Sequence, residues 1–91
     1  MDGEVTDNPE RGQYELTVDG ATAIAAYRRH DDHLTFYHTE VPAALGGRGI
    51  GKRLIAAALA DVRRQGLRVV ATCPFVRHYI DTHPEERDLL L

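Results

Sequence analysis

The sequence has one cysteine, no apolar run of membrane-spanning length and no excess of positive charge. A single cysteine excludes an internal disulfide and suits a reducing cytoplasm, which is the expected location. No cysteines and histidines stand at metal-ligand spacing, so no metal site is predicted. The first four residues lack a signal-peptide pattern, and no membrane association is expected. A net charge of −3 also argues against nucleic acid as a partner.

What remains is the composition of a small folded protein. The chain has 91 residues, of which 43% are hydrophobic and 27% charged, so we expect one domain with a single core, acting as a monomer. Residues 1–12 are polar and show no hydrophobic periodicity. They are predicted to form a mobile tail ahead of a domain over residues 13–91.

Alternating apolar and polar residues predict three successive strands. The first runs from Tyr14 to Val18 and is followed by Asp19-Gly20, a hairpin-turn signal. The second, residues 21–29, is apolar on both faces and should be central in the sheet. The third covers residues 33–41, and its pairing should end or bulge near Pro42, which has no N–H to donate.

The chain is organised around residues 46–65, a glycine-rich stretch that runs into an amphipathic helix. Apolar residues from Ile50 to Val62 form one stripe, and Gly66 is placed to end the helix. Glycines at a helix start let backbone N–H groups face a ligand. Together with the positive end of the helix dipole, they favour an anion, most often phosphate.

Three phosphate-binding motifs compete for this stretch. A Rossmann fingerprint requires glycine where Lys52 stands. A P-loop fits Gly46 to Lys52, but Arg53 replaces the Ser or Thr hydroxyl that holds Mg²⁺. The third motif, R/Q-x-x-G-x-G/A, is the pyrophosphate loop of acyl-coenzyme A transferases, and Gly49-Ile50-Gly51 supplies its core. A turn that binds nothing is the remaining interpretation, although the glycines outnumber those that a turn needs.

A fourth strand and a short helix complete the predicted fold. Residues 67–72 are rich in β-branched side chains, and a strand–helix–strand crossover places this strand parallel to the third. Pro74 suits the first position of a helix, which should cover about residues 75–83. The fold class is therefore α/β, with a mostly antiparallel sheet, one parallel pair, one crossover helix and a short C-terminal helix.

Four segments of the sequence together carry a family resemblance. They are His38-Thr39-Glu40-Val41-Pro42, Gly47-Arg48-Gly49-Ile50-Gly51, Cys73-Pro74-Phe75-Val76 with Tyr79-Ile80, and His83-Pro84-Glu85. This combination resembles the small single-domain GNAT-like acetyltransferases that contain a cysteine motif. The resemblance covers nearly everything from Tyr14 to Leu91, and it departs from the wider superfamily at Gly46, where Arg or Gln is usual.

The resemblance implies acetyl-coenzyme A as cofactor, in a gap where the parallel strands splay after Glu40-Val41-Pro42. The loop N–H groups would hold the pyrophosphate, and the N–H of Val41 would face the thioester carbonyl as an oxyanion donor. Arg48, Lys52 or Arg53 would reach the 3′-phosphate, with solvation at the surface as the alternative for each. The implied cofactor-binding residues are Val41, Gly46, Gly47, Arg48, Gly49, Ile50, Gly51, Lys52, Cys73, Pro74 and Tyr79.

Three residues are candidates for the chemistry. Cys73 precedes a helix N-terminus, where thiolates are favoured; it accepts the acetyl group, lines the pocket or fills the core. Tyr79 matches the superfamily's general acid if Thr72 takes the place of its strand-end Asn, and otherwise it packs in the core. Glu40 deprotonates the amine or is a solvated carboxylate at the sheet edge.

The five histidines are not expected to act in the chemistry. His38 shares a face with Leu34 and Phe36 if no bulge intervenes, which favours a structural role over that of a base. The other four are dispersed along the chain and are expected at the surface: His30, His33, His78 and His83.

The predicted function is transfer of acetyl from acetyl-coenzyme A to an amine, directly or through Cys73. The alternative is an acyl-coenzyme A-binding module with little or no turnover, and a P-loop nucleotide binder is a third candidate. An enzyme should release free thiol from acetyl-coenzyme A when amines are offered, whereas a binding module should not.

Overall fold

The strands and helices follow the predicted order, with one additional strand at the start. The computed structural model describes residues 3–91. Within this range neither α-helix combines the length and apolarity needed to cross a bilayer. Two short 3₁₀-helices lie at Ala43–Leu45 and Pro84–Leu89. The principal elements are β1 (Thr6–Asn8), β2 (Gln13–Val18), β3 (Ala21–Arg29), β4 (His33–Glu40), α1 (Ile50–Arg64), β5 (Arg68–Ala71) and α2 (Pro74–Asp81).

The five strands form one sheet in the order β1-β2-β3-β4-β5. The first four strands pair antiparallel, while β4 and β5 are parallel and connected through α1. The predicted α/β class, the central place of β3 and the parallel pair are therefore confirmed. The crossover matters for function because it brings the start of α1 and the start of α2 to the same end of the sheet.

Backbone conformations with positive φ occur where the sequence signals them. Asp19 and Gly20, between β2 and β3, have φ of 51° and 80°, as in the hairpin turns whose twist matches that of paired strands. Gly66 has φ of 73°, and its N–H donates to the carbonyl of Arg63 at 3.0 Å. This hydrogen bond closes the C-terminus of α1 as predicted.

A single apolar core lies between the sheet and the helices. α1 packs across β2 and β3, and α2 packs against β4 and β5. Tyr14, Tyr27 and Phe36 meet within it, with ring centroids 5.5 to 6.1 Å apart. The hydroxyls of Tyr14 and Tyr27 donate to the carboxylates of Asp61 and Asp7, each at 2.6 Å. Burial, and then these carboxylates, raises the pKa of both phenols.

β1 corrects the prediction of an unstructured tail over residues 1–12. Thr6–Asn8 pair with β2, and the carboxylate of Asp7 is tied to Tyr27. These residues are polar and mostly exposed, so they carry no hydrophobic alternation. The strand is held by backbone pairing, by this phenol–carboxylate hydrogen bond and by a 3.3 Å hydrogen bond from Asn8 to the carboxylate of Glu15. None of these contacts leaves a pattern in the sequence. Met1 and Asp2, also within the predicted tail, lie outside the described residues.

β4 contains an extra residue that reverses its alternation. The register with β3 shifts between Phe36 and His38, which leaves Tyr37 as a bulge. His38 and Glu40 consequently do not share the buried face of Leu34 and Phe36, and both are exposed. The condition attached to His38, that no bulge intervenes, is therefore not met.

The gap between β4 and β5 also begins earlier than predicted. Their pairing ends at Phe36 and Ala71, and the N–H groups of Thr72 and Cys73 both donate to the carbonyl of Phe36 at 3.0 Å. The splay thus starts at the bulge and at the turn into α2, rather than at Glu40-Val41-Pro42.

Candidate functional site

The glycine-rich loop has a backbone that only glycine adopts without strain at two positions. Gly47 and Gly49 have φ of 76° and 70°, in the left-handed region that a Cβ disfavours. Gly49 is also the N-cap residue of α1, and it has no side chain to accept from the first N–H groups of the helix. The loop therefore leaves the start of α1 open to an external acceptor.

The loop and the start of α1 together expose a set of backbone N–H donors. Within residues 3–91, five N–H groups in the loop and the first turn of α1 meet no hydrogen-bond acceptor: those of Gly47, Gly49, Ile50, Gly51 and Lys52. Donors at a helix N-terminus, reinforced by the helix dipole, stabilise an anion such as phosphate. The donor set fits the pyrophosphate of coenzyme A, because it supplies several N–H groups, and no Asp or Glu of residues 3–91 lines the cavity beside them.

A cavity of about 250 Å³ is built around these donors. Two of its lining residues, Leu45 and Phe75, were not among the predicted cofactor-binding residues. Seven predicted residues line it together: Val41, Gly46, Gly47, Gly49, Ile50, Gly51 and Lys52. The predicted residues that would bind the cofactor through backbone groups therefore lie around one cavity.

Phe75 explains why α1 has a glycine inside its first turn. A Cβ at Gly51 would come within 2.6 Å of the Cζ of Phe75, so the ring occupies the space of a side chain. Phe75 is nevertheless 41% exposed, which suits contact with an apolar part of a ligand. A sequence signal for Phe75 exists, since it follows Pro74 at the start of α2 and so lies at the loop's end of the sheet.

A second cavity, of about 270 Å³, adjoins the first and shares Lys52 and Phe75 with it. Its remaining lining comes from α2 and the turn after it: His78, Tyr79, Thr82 and His83. We call the two cavities together the groove. One end of the groove presents backbone donors, and the other presents a phenol, a hydroxyl and two imidazoles.

Tyr79, the predicted general acid, lies in the second cavity against the ring of His83. The two rings stack with centroids 3.9 Å apart and planes 10° from parallel. Burial, and then the negative charges of Glu86 and Glu85, raises the pKa of Tyr79, so its phenol is protonated at neutral pH and can donate. His83, expected at the surface, is instead partly buried, because the chain turns at Pro84 and holds it over Tyr79.

Cys73 lies at the base of the gap between β4 and β5 and is only 4% exposed. Its Sγ is 3.4 Å from the Oγ1 of Thr39, and its carbonyl accepts the N–H of Arg77 at 2.9 Å. Neither Cys73 nor the adjoining Pro74 is among the residues that line the groove. The structure brings Cys73 to the correct end of the sheet but packs its thiol into the core.

Glu40 is not brought together with Cys73 and Tyr79. Its side chain is 69% exposed, and its carboxylate lies 3.1 Å from the Nε2 of His38, which is itself 54% exposed. This is the geometry of a solvated carboxylate at the sheet surface. The bulge at Tyr37 is the physical reason, since it sets which face these side chains occupy.

Of the three cations considered for the 3′-phosphate, Lys52 alone lines the groove. Arg48 belongs to the loop, but its Nη1 lies 2.8 Å from the Oδ2 of Asp19. Arg53 has its Nη2 3.5 Å from the carbonyl oxygen of Gly3. Both guanidinium groups therefore make contacts with the N-terminal half of the chain.

Comparison with known proteins agrees with this geometry. A sequence profile of GCN5-related N-acetyltransferases matches residues 13–89. Protein NATD1 of Gallus gallus is 32% identical over 84 residues, which cover 89% of this chain and 76% of that protein. Protein NATD1 of Mus musculus is 33% identical over 78 residues, covering 82% and 71%. The solution NMR structure of a GCN5-like protein from Staphylococcus aureus has a TM-score of 0.73 and 28% identity, covering 97% of this chain and 87% of that one.

Proposed function

This chain belongs to the GCN5-related N-acetyltransferase family, and on that premise we propose that it transfers acetyl from acetyl-coenzyme A to an amine. The observation that carries the proposal is the groove. It combines backbone donors that have no acceptor within residues 3–91 with a protonated phenol in the adjoining cavity. The donors suit the phosphates of an anionic cofactor, and a positioned proton donor assists the departure of a thiolate.

The loop end of the groove would hold the pyrophosphate. The N–H groups of Gly47 and of Gly49 to Lys52 supply the hydrogen bonds, and the Lys52 ammonium adds positive charge at the same cavity. The exposed ring of Phe75, between the two cavities, would contact an apolar part of the cofactor. Acetyl-coenzyme A supplies the acyl group in activated form, as a thioester.

Two groups of the chain would serve the transfer itself. The N–H of Val41 meets no acceptor within residues 3–91 and lines the first cavity, where it would stabilise an oxyanion. Tyr79 lines the second cavity, where it would donate a proton to the departing thiolate. Both cavities border Phe75, so we place the reacting carbonyl beside that ring.

The role of Cys73 distinguishes two routes, which are direct transfer of acetyl to the amine and transfer through an acetylated Cys73. Its burial and its contact with Thr39 favour direct attack by the amine. Mass spectrometry after incubation with acetyl-coenzyme A alone decides between the routes. Direct transfer leaves the protein mass unchanged, whereas a nucleophilic Cys73 leaves an acetyl adduct that Cys73→Ala abolishes.

The proposal is tested by measuring thiol release from acetyl-coenzyme A in the presence of a panel of primary amines. We expect release that depends on the amine, and a fall of roughly 100-fold or more in kcat for Tyr79→Phe. Coenzyme A binding to that variant should be nearly unchanged. Tight binding without thiol release for any amine would instead identify an acyl-coenzyme A-binding module.

A further inference from the structure

The ring of His83 is held in one orientation by the backbone of α2. Its Nδ1 lies 2.7 Å from the carbonyl oxygen of Tyr79. The Oγ1 of Thr82 also lies 3.2 Å from Nδ1, but its hydroxyl has acceptors in the carbonyls of His78 and Tyr79 at 3.0 and 3.1 Å. A carbonyl oxygen only accepts hydrogen bonds, so in the neutral ring Nδ1 carries the proton. The lone pair is then on Nε2, which leaves that nitrogen able to accept a proton.

The ring that carries this acceptor lines the cavity that also contains Tyr79. His83 lines the second cavity, and its ring is stacked on the phenol ring at 3.9 Å. The stack fixes a proton acceptor beside a proton donor, so the two groups can act on neighbouring atoms of one substrate. Opposite protonation states on adjacent rings are the arrangement that general acid–base catalysis uses.

The other histidines lack this combination. His30 and His33 stack on each other at the turn between β3 and β4, with ring centroids 4.4 Å apart. His38 lies on the exposed sheet surface beside Glu40. His78 lines the same cavity, but within the described chain no hydrogen bond of its ring sets the position of either nitrogen.

We propose that His83 is the proton acceptor for the amine substrate, with Nε2 as the accepting atom. The inference rests on the proposed function. As the amine nitrogen bonds to the acyl carbon, one N–H proton passes to Nε2. The carbon–sulfur bond breaks, and the sulfur takes a proton from Tyr79. The proton on His83 is then lost to solvent, and Tyr79 regains one from solvent, so no further reactant is needed.

Charged and titratable groups surround this ring on several elements. Lys52 comes from α1, and His78 and Tyr79 come from α2. Glu85 and Glu86 come from the 3₁₀-helix that follows, and Arg63 holds the carboxylate of Glu86 at 2.9 Å. A pH profile is therefore interpreted only by comparing variants at His83 with the unaltered protein.

The variant that tests the role of Nε2 is His83→Asn. The asparagine amide can still donate to the carbonyl of Tyr79, but it has no basic nitrogen in place of Nε2. We expect kcat/KM to fall by roughly 100-fold or more. The pH profile of kcat/KM should also lose a limb that the unaltered protein shows. His30→Asn removes a histidine at the distant turn, and it should change neither the rate nor the profile.

A second measurement does not depend on activity. Long-range ¹H–¹⁵N NMR correlations of the free protein report which ring nitrogen of each histidine is protonated. We expect the neutral ring of His83 to carry its proton on Nδ1 and none on Nε2. The opposite tautomer contradicts the inference, because Nε2 then has no lone pair to accept a proton.

Different results would contradict the role of His83 and the proposed acetyl transfer. An active protein whose His83→Asn variant keeps its rate and pH profile contradicts the role of His83 and leaves the proposed function intact. A protein that transfers acetyl to no amine contradicts the proposed function, and the role of His83 with it.

Discussion

Gly49 is the residue on which anion binding most directly depends. Its φ of 70° is left-handed, and a Cβ built there meets no atom within 4 Å. Gly49→Val should therefore fold, with a loss of about 1–2 kcal/mol in the free energy of unfolding from backbone strain. Gly49 lines the first cavity, where the added side chain would compete with the ligand for space, so calorimetry should show coenzyme A affinity reduced by about tenfold or more.

Gly66→Val is the matched control for that variant. Gly66 has nearly the same φ, 73°, and also has open space around its Cβ position, but it ends α1 far from the groove. We expect a similar loss of stability in urea denaturation with unchanged affinity. Equal losses of affinity in both variants would mean that strain, rather than the loop, controls binding.

At the residue scale, the sequence predicts backbone groups better than side chains. Glycine spacing identifies the loop donors, because φ and the absence of a Cβ are properties of the residue itself. Side-chain positions depend on distant partners. Arg48 pairs with Asp19, which is 29 positions away along the chain, and Cys73 contacts Thr39, which is 34 positions away. Neither contact leaves a local pattern.

At the scale of elements, β1 depends on a single side-chain hydrogen bond to the core. The phenol of Tyr27 donates to Asp7 at 2.6 Å. Tyr27→Phe keeps the ring and removes the donor, so we expect about 1 kcal/mol lower stability. Hydrogen exchange should quicken at Thr6–Asn8 and at the β2 amides that face them.

Tyr37→Phe is the control variant. It also removes a tyrosine hydroxyl, but Tyr37 lies at the bulge of β4, is 43% exposed and does not contact Asp7. That variant should leave exchange in β1 unaltered. Unchanged exchange in Tyr27→Phe as well would show that β1 does not depend on the hydrogen bond to Tyr27.

The predictable elements are those with hydrophobic periodicity. β2, β4 and α1 each bury an apolar stripe, such as Tyr14, Leu16 and Val18 in β2, and these patterns were sufficient to locate them. β1 has no such stripe. The bulge at Tyr37 adds a residue within a regular alternation, so the sequence predicted the strand but could not decide which face His38 occupies.

For the whole molecule, the buried tyrosines predict loss of stability in alkali. The pKa values of Tyr14 and Tyr27 are raised, by burial first and then by hydrogen bonds to Asp61 and Asp7. Unfolded tyrosine loses its proton near pH 10. Above about that pH the folded state binds more protons than the unfolded state, so the free energy of unfolding falls as pH rises.

Urea denaturation at intervals between about pH 8 and 11 measures this effect, since the reference pKa of tyrosine lies within that range. Tyr14→Phe should show a shallower decline than the unaltered protein. Parallel declines would show that Tyr14 is not the group responsible.

The central claim is that the groove binds coenzyme A through the loop donors, and a titration of ¹⁵N-labelled protein with coenzyme A tests it most directly. We expect saturable amide shifts concentrated at the loop and the first turn of α1, with further shifts at Val41, Phe75 and Tyr79. Shifts confined to other surfaces, or none that saturate, would contradict the assignment of the groove.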